Sequence, residues 1–234
     1  MDRKYAEKLD YIYEDEVGKL LISVDEYVAD NNSRGVSQMI GRRFGNFWER
    51  LVKCTYECSD SVELGEKVFF NDYVEKWVED NTQNMDEQSR KASTDLIMKF
   101  LEENTGTASQ DLCDFTFEHN GKKYAVDTKV RFVSNDSNTV REIANSAHHL
   151  RYMGYIPVLL FRKPREDSLP TPIKRFEKEG WVILCSDDSG EFIVESTGLN
   201  LDDWIQHNVN IWKRLNKYHE GLRKLRFDEP EWKF

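Results

Sequence analysis

The sequence predicts an α/β fold in which helices cover both faces of a mixed β-sheet. Amphipathic stretches with helical spacing fill most of the region 1–110. Two strand-like runs then flank Asn120-Gly121, and helix-like and strand-like stretches alternate from there to Cys185. Such alternation is typical of layered α/β architectures. Because no repeat or long linker divides the 234 residues, we expect one domain over 1–234.

The region of about 1–110 is predicted to be helical. Apolar stripes at helical spacing predict helices over 4–30, 38–57, about 70–81 and about 86–103. The run Asn31-Asn32-Ser33-Arg34-Gly35 is predicted to end the first helix, because it combines turn formers with a glycine. The first helix suits packing or dimerisation. The core stripe of helix 38–57 consists of Phe44, Phe47, Trp48, Leu51 and Val52.

A β-hairpin is predicted over Leu112–Val133. Alternating apolar residues flank Asn120-Gly121, a pair that favours a two-residue type I′ turn because both turn residues need positive φ. Side chains alternate between the faces of a strand. In the second run, one face therefore carries Tyr124, Val126, Thr128, Val130 and Phe132, and the other carries Asp127, Lys129 and Arg131.

A two-residue turn also fixes which residues face each other. His119 then faces Lys122, Phe117 faces Tyr124, and Asp114 faces Asp127. Directly opposed residues have Cβ atoms roughly 4.5–5.5 Å apart, and like charges at that distance repel. A divalent cation between the two carboxylates removes this conflict, because Mg²⁺ binds one or two carboxylates together with substrate phosphate oxygens.

The elements after the hairpin complete an α/β core of about 111–196, to which helix 38–57 also belongs. They are a helix capped by Ser137 or Asn138 and ending near Met153, a strand over Tyr155–Phe161, a short helix over 172–179, and strands over Trp181–Cys185 and Glu191–Glu195. An added C-terminal helix of about 200–226 is predicted from Leu201 to about Leu225.

Asp114, twelve intervening residues and then Asp127-Thr128-Lys129 resemble the PD-(D/E)xK motif. That nuclease superfamily includes most type II restriction endonucleases. Cys113 stands where the motif has proline. The resemblance implies a restriction-endonuclease-like mixed sheet flanked by helices, here with extra N- and C-terminal helices. The element order also matches the superfamily's helix, three strands, helix and strand.

The resemblance assigns roles to individual residues. Asp114 and Asp127 would be carboxylate ligands of a metal ion, with the Thr128 carbonyl beside them, and Lys129 would hold the attacking water and offset negative charge. Gly45-x-x-x-Glu49 resembles a feature of many restriction enzymes in which the glutamate helps to bind metal or a water. Two alternatives stay open, namely a Glu49–Lys53 pair within the helix and a solvated Asp127–Lys129 ion pair.

The implied activity is that of a type II restriction enzyme, a sequence-specific and Mg²⁺-dependent endonuclease of double-stranded DNA. Mn²⁺ would substitute for Mg²⁺, and the products would carry 5′-phosphate and 3′-hydroxyl ends. Such enzymes usually act as homodimers on palindromic sites, because two-fold protein symmetry matches that of the DNA. No glycine-rich phosphate loop is present, so we expect no nucleotide cofactor.

Candidate DNA contacts lie on two predicted helices. Arg141, Asn145 and His148 share the polar face of the helix that follows the motif, and they offer a phosphate donor, an amide able to pair with adenine and an imidazole. Arg42 and Arg43 lie on helix 38–57. The alternative for the first three residues is a solvated helix face.

Composition limits these hypotheses. The net charge of −10 argues against a loose, charge-driven nucleic-acid binder, although it permits a nuclease whose basic residues line one cleft. A repair or junction-resolving nuclease on the same core is one alternative. A non-catalytic DNA- or protein-binding domain with an accidental Asp-x-Lys is another. No apolar run is long enough to span a membrane and no apolar signal core begins the chain, so a cytoplasmic protein is expected.

Overall fold

The computed structural model describes residues 3–29, 33–105, 110–134 and 136–208. These residues form a five-stranded mixed sheet with helices on both faces, as predicted. The strands are β1 (Glu63–Gly65), β2 (Phe115–His119), β3 (Lys122–Lys129), β4 (Ile156–Phe161) and β5 (Val182–Cys185). The α-helices are α1 (Arg3–Ala29), α2 (Ser33–Glu57), α3 (Phe70–Asn81), α4 (Glu87–Thr105), α5 (Ser137–Tyr152), α6 (Pro170–Glu179), α7 (Asp187–Thr197) and α8 (Leu201–Asn208).

The sheet changes from antiparallel to parallel at β3. Its spatial order is β1-β2-β3-β4-β5, and β1, β2 and β3 pair antiparallel. β3, β4 and β5 pair parallel, with α5 and α6 as the crossover helices. The carboxyl end of β3 therefore lies beside the start of β2 on one side and the carboxyl end of β4 on the other.

The β2–β3 hairpin has the predicted register. His119 pairs with Lys122 and Phe117 pairs with Tyr124. Asn120 and Gly121 have φ angles of 53° and 72°, the positive values that a type I′ turn requires. The ladder ends at Phe115–Val126, one pair short of the expected Asp114–Asp127 pair. Asp114 instead donates its backbone N–H to the Val126 carbonyl at 2.8 Å.

Two apolar clusters hold the helices against the sheet. The first packs α1, α2, α7 and α8 against one face, and its largest fully buried side chains include Trp48, Trp204 and Phe117. The predicted core stripe of α2 lies in this cluster. The second cluster packs α5 and α6 against the other face around Leu150 and Phe176. Each face thus buries alternate residues of the strands, with Val126 in the first cluster and Ala125 in the second.

Three boundary predictions are wrong. Helix α2 begins at Ser33, so the predicted turn residues Ser33 to Gly35 are helical. The capping residue of α5 is Asp136, whose carboxylate accepts from the N–H groups of Asn138 and Thr139. Phe132 was predicted on the same strand face as Val126, but it lies beyond the end of β3, where its N–H donates to the Ser168 hydroxyl. Its side chain packs in the second cluster, on the opposite side of the sheet from Val126.

One predicted strand is a helix. Glu191–Glu195 lies within α7, where Ile193 is buried and Gly198 ends the helix with a φ of 72°. A short apolar run fits both periodicities, so its pattern did not distinguish strand from helix. The C-terminal helix is described only as far as Asn208, and its predicted continuation to about Leu225 lies outside the described residues.

Strand β1 is an addition that the sequence did not predict. It pairs with β2 although α3 and α4 separate the two strands in the chain. The segment after β1 is bonded both to β2 and to the segment before it, since the Thr116 hydroxyl donates to the Glu66 carbonyl at 2.7 Å and Leu112 donates to the Val68 carbonyl at 2.9 Å. None of the helices that the structure describes has the length and apolar character needed to cross a membrane.

Candidate active site

Charged side chains gather at the carboxyl end of β3. Asp127 and Lys129 lie on the same face of the strand, and the Lys129 ammonium forms an ion pair with the Asp127 carboxylate. Only 13% of the Asp127 side chain and 32% of the Lys129 side chain are exposed. A carboxylate and an ammonium group so little solvated are held in place more firmly than a surface ion pair, which makes this position unlike a solvated strand face.

Asp114 is fixed against β3 by its own carboxylate. Its Oδ2 atom accepts from the Thr128 N–H at 2.7 Å and from the Thr128 hydroxyl at 2.8 Å. Because the N–H and C=O of one strand residue point towards the same neighbour, the Thr128 carbonyl points to the side on which Asp114 lies. The structure therefore brings together Asp114, Asp127 and the Thr128 carbonyl, although Asp114 lies just beyond the ladder and not within it.

The ionisation of Asp127 depends on its burial and on the charges around it. Burial raises the pKa of Asp127 to about 7, the nearby Lys129 opposes the shift, and the Asp114 charge adds to it. Burial alone lowers the pKa of Lys129, but the charges of Asp127, Asp114 and Glu49 outweigh it and raise that pKa above its ordinary value. Lys129 is thus protonated at neutral pH, and Asp127 binds a proton more readily than an ordinary aspartate.

Glu49 of α2 reaches the same cluster from another element. Burial raises the pKa of its carboxyl group, and the Asp114 charge raises it further. Lys67, Lys129 and Lys53 act in the opposite direction. The charges of Asp114, Lys129 and Lys53 therefore all act on the Glu49 carboxyl. A role of Glu49 beside the aspartates is thus compatible with its pairing to Lys53 within the helix.

Lys67 is a member of the cluster that the sequence did not predict. It follows β1 and forms an ion pair with Asp111. Burial lowers its pKa, but the charges of Asp111, Asp114 and Glu49 raise it overall. No motif surrounds Lys67, and it reaches the site only because β1 pairs with β2. Predicting Lys67 as part of the cluster would have required predicting that the three-residue strand β1 pairs with β2.

The cluster carries an excess of negative charge. Four carboxylates (Glu49, Asp111, Asp114 and Asp127) face two ammonium groups (Lys67 and Lys129), a formal charge of −2 when all are ionised. Among the described residues, no three histidine, cysteine, aspartate or glutamate side chains form a ready-made metal site. Asp114 and Asp127 offer two carboxylates, which is what Mg²⁺ commonly takes from a protein before water and substrate phosphate complete its shell.

The predicted DNA contacts lie on the surface of α5 and α2. Arg141, Asn145 and His148 are exposed on α5, and the Arg141 guanidinium donates to the Asn138 side chain at 3.2 Å. Arg42 is exposed on α2. Arg43 differs, because it is half-buried and lines a small cleft between α1 and α2 with Glu16. That position makes Arg43 a weaker candidate for a DNA contact than Arg42.

The comparisons with known proteins add no relative to this geometry. The chain matches no family model, no curated protein and no solved structure.

Proposed function

We propose that the protein is a divalent-metal-dependent endonuclease of double-stranded DNA. The observation that carries the proposal is the cluster at the end of β3, in which Thr128 holds the Asp114 carboxylate beside the Asp127–Lys129 pair. Two adjacent, poorly solvated carboxylates with a lysine are suited to binding a cation and reacting at a phosphate.

The residues divide the chemical work as follows. Asp114, Asp127 and the Thr128 carbonyl would hold the metal ion, which supplies a polarised water and a Lewis acid at the phosphate. Lys129 orients the attacking water and offsets the negative charge that develops on the phosphate oxygens. Glu49, whose carboxyl group is affected by the Asp114 charge, would orient water or support a second ion.

The element order supports a restriction-endonuclease-like core. Helix α2 precedes β1, β2 and β3 in the chain, and α5 then leads to β4. Apart from α3 and α4, which are inserted between β1 and β2, this is the order of helix, three strands, helix and strand that the motif resemblance implies. Within this proposal the enzyme is sequence-specific, cuts as a homodimer on palindromic DNA and leaves 5′-phosphate ends.

Plasmid cleavage tests the proposal. We expect wild-type protein with Mg²⁺ or Mn²⁺ to cut supercoiled plasmid, and EDTA to stop the reaction. Ca²⁺ should support binding without cutting, because it accepts looser geometry. Asp127→Asn and Lys129→Met should each lower the rate by about 10²–10³-fold or more, the usual effect of removing a group that stabilises the transition state.

Lys123→Met is the matched control for Lys129→Met. Lys123 lies on the same face of the same strand but is exposed and about 20 Å away, given roughly 3.3 Å per residue. We expect this variant to cut like the wild type. Wild-type rates in a folded Asp127→Asn protein would rule out the assigned site. Discrete fragments indicate a restriction enzyme, whereas cutting confined to branched DNA indicates a junction-resolving enzyme.

A further inference from the structure

A groove lies between α1 and α2, away from the sheet. Its volume is about 560 Å³. The walls carry four basic side chains, Lys4, Lys8, Arg50 and Lys53, and two acidic ones, Glu7 and Glu57. Because Arg50 is bound by Asp15 and Glu16, the charge that the groove presents is that of three lysines against two glutamates, which is slightly basic on a chain whose net charge is −10. Nothing in the chemistry assigned to β3 uses these residues.

The basic groups of the groove lie on two helices that are tied to each other. Arg50 of α2 binds both Asp15 and Glu16 of α1, which ties the two helices side by side. The lysines Lys4, Lys8 and Lys53 are exposed along the groove. Glu7 is bound by Arg3 at 2.8 Å, so its charge is already partly compensated. The surface thus gathers three exposed lysines from two adjoining helices, which suits a polyanion.

Lys53 connects the groove to the charged cluster at the end of β3, because it lines the groove and acts on Glu49. Lys53 follows Glu49 by one helical turn, a rise of about 6 Å, and its charge acts on the Glu49 carboxyl. Glu49 in turn feels the charge of Asp114. A strand with its phosphate at the carboxylate cluster could therefore continue past Glu49 to Lys53, and from there along the groove wall that carries Lys8 and Lys4.

We propose that the α1–α2 groove binds the sugar–phosphate backbone of the DNA on one side of the cleavage site. The inference rests on the proposed nuclease function and adds the path of its substrate. The lysines neutralise successive phosphates, and Tyr11, which is 69% exposed at the groove, is available to stack on a base wherever the strand is unpaired.

A salt series on a charge-neutralised variant tests the groove. The full-length double variant Lys4→Gln/Lys8→Gln is compared with wild type by fluorescence anisotropy in Ca²⁺, with a duplex and a single-stranded oligonucleotide. If each lysine contacts one phosphate, the plot of log association constant against log salt concentration should become less steep in the variant. Its slope should shrink in magnitude by about 1.8 on duplex DNA and by about 1.4 on a single strand. The matched control is Lys122→Gln/Lys123→Gln, an exposed pair at the hairpin turn, which should leave the slope unchanged.

The outcomes separate this inference from the proposed function. A smaller salt slope with both oligonucleotides supports a path for duplex backbone. A smaller salt slope with the single strand alone, together with weaker single-strand binding by Tyr11→Ala, supports a path for an unpaired strand. An unchanged slope in a variant of a wild type that cuts DNA overturns the groove and leaves the nuclease proposal standing. A wild type that binds through the groove but never cuts supports the groove and overturns the nuclease.

Discussion

Asp114 has a structural task that is independent of any metal. Its carboxylate accepts the N–H and the hydroxyl of Thr128, and the Thr128 side chain is buried. We expect Asp114→Ala to lower the free energy of unfolding by about 1–3 kcal/mol, because buried donors would lose their acceptor. Asp114→Asn keeps an acceptor oxygen and should unfold closer to the wild type while cutting no better than Asp114→Ala.

Urea unfolding and plasmid cleavage, measured on both Asp114 variants, check this expectation. Lys123→Met serves again as the exposed control on β3. Equal stability of Asp114→Ala and wild type would show that the hydrogen bonds to Thr128 contribute nothing. Full cleavage by Asp114→Asn would show that the carboxylate charge is not needed.

Lys67 should affect cleavage although it is outside the motif. Its charge acts on Asp114 and Glu49, so Lys67→Met removes one of two cations from a cluster rich in carboxylates. We expect about a tenfold or greater fall in kcat/KM, corresponding to the loss of one charged contact. Lys67→Arg should restore much of the rate because it keeps the charge.

A positioning role predicts a further signature of Lys67. The pKa of Glu49 should rise when Lys67 is neutralised, because Lys67 now holds it down. The acidic limb of the pH–rate profile should therefore move to higher pH in Lys67→Met and return in Lys67→Arg. A profile and rate that stay at wild-type values in Lys67→Met would remove this residue from the site.

The residues found from the sequence are those whose neighbours are local. A two-residue turn predicted a register in which Asp114 faces Asp127, and the structure has that register as far as Phe115–Val126. The detail that differs is the end of the ladder, where the Asp114 side chain replaces a strand pair. Lys67 was missed because a long-range pairing and not a local pattern brings it to the site.

At the scale of elements, α5 is where the prediction of DNA contacts can be tested. Arg141 and Asn145 are exposed on the helix that follows β3 in the chain. If Arg141 meets a phosphate, Arg141→Ala should weaken binding to all sequences and reduce the salt slope by about one unit. If Asn145 reads a base, Asn145→Ala should lose about 1–3 kcal/mol of discrimination between cognate and altered sites.

Binding measurements on cognate and single-base-changed duplexes distinguish these roles. Glu142→Ala is a control on the same exposed helix face that removes no cationic or amide donor. If both Arg141→Ala and Asn145→Ala keep the affinity, the salt slope and the site preference of the wild type, this face of α5 is solvated.

Long elements were easier to predict than short ones. Helices α1 to α4 carry several turns of amphipathic pattern, and the predicted range of α3, 70–81, agrees with the structure. β1 has only three residues, too few for a period of two to stand out. The short apolar run in α7 fits the pattern of a strand as well as that of a helix. In the structure it is helical, and Ile193 packs in the first cluster. Tertiary packing supplied the information that these segments lack.

At the scale of the whole molecule, stability should depend on pH through His149. Burial, with a smaller effect of His148, lowers the pKa of His149 to about 4. Its ring packs against Tyr73 and Phe70 of α3, with centroids 4.3 and 5.0 Å away. Because the folded-state pKa lies below the unfolded value, the stabilisation is present above pH 6.5 and is lost as the pH falls towards 4.

Chemical denaturation between pH 7.5 and pH 4 measures this effect. We expect His149 to account for about 1–2 kcal/mol of the loss, less than the full pKa difference because the ring is partly solvated. His149→Phe keeps an aromatic ring but does not titrate, so its free energy of unfolding should change less between pH 6.5 and pH 4 than that of the wild type. Asn145→Ala, which removes no titratable group from the exposed face of the same helix, should leave the profile unchanged.

The separation of partners along the chain has a consequence for the order of folding. Asp114 and Thr128 are 14 positions apart, whereas Thr116 and Glu66 are 50 positions apart. Closing a short hairpin takes microseconds and costs less entropy than closing a long loop, so β2 and β3 should meet before β1 joins them. The two aspartates would then be brought together in the transition state, before Lys67 arrives. Their mutual repulsion would therefore slow folding more than it speeds unfolding.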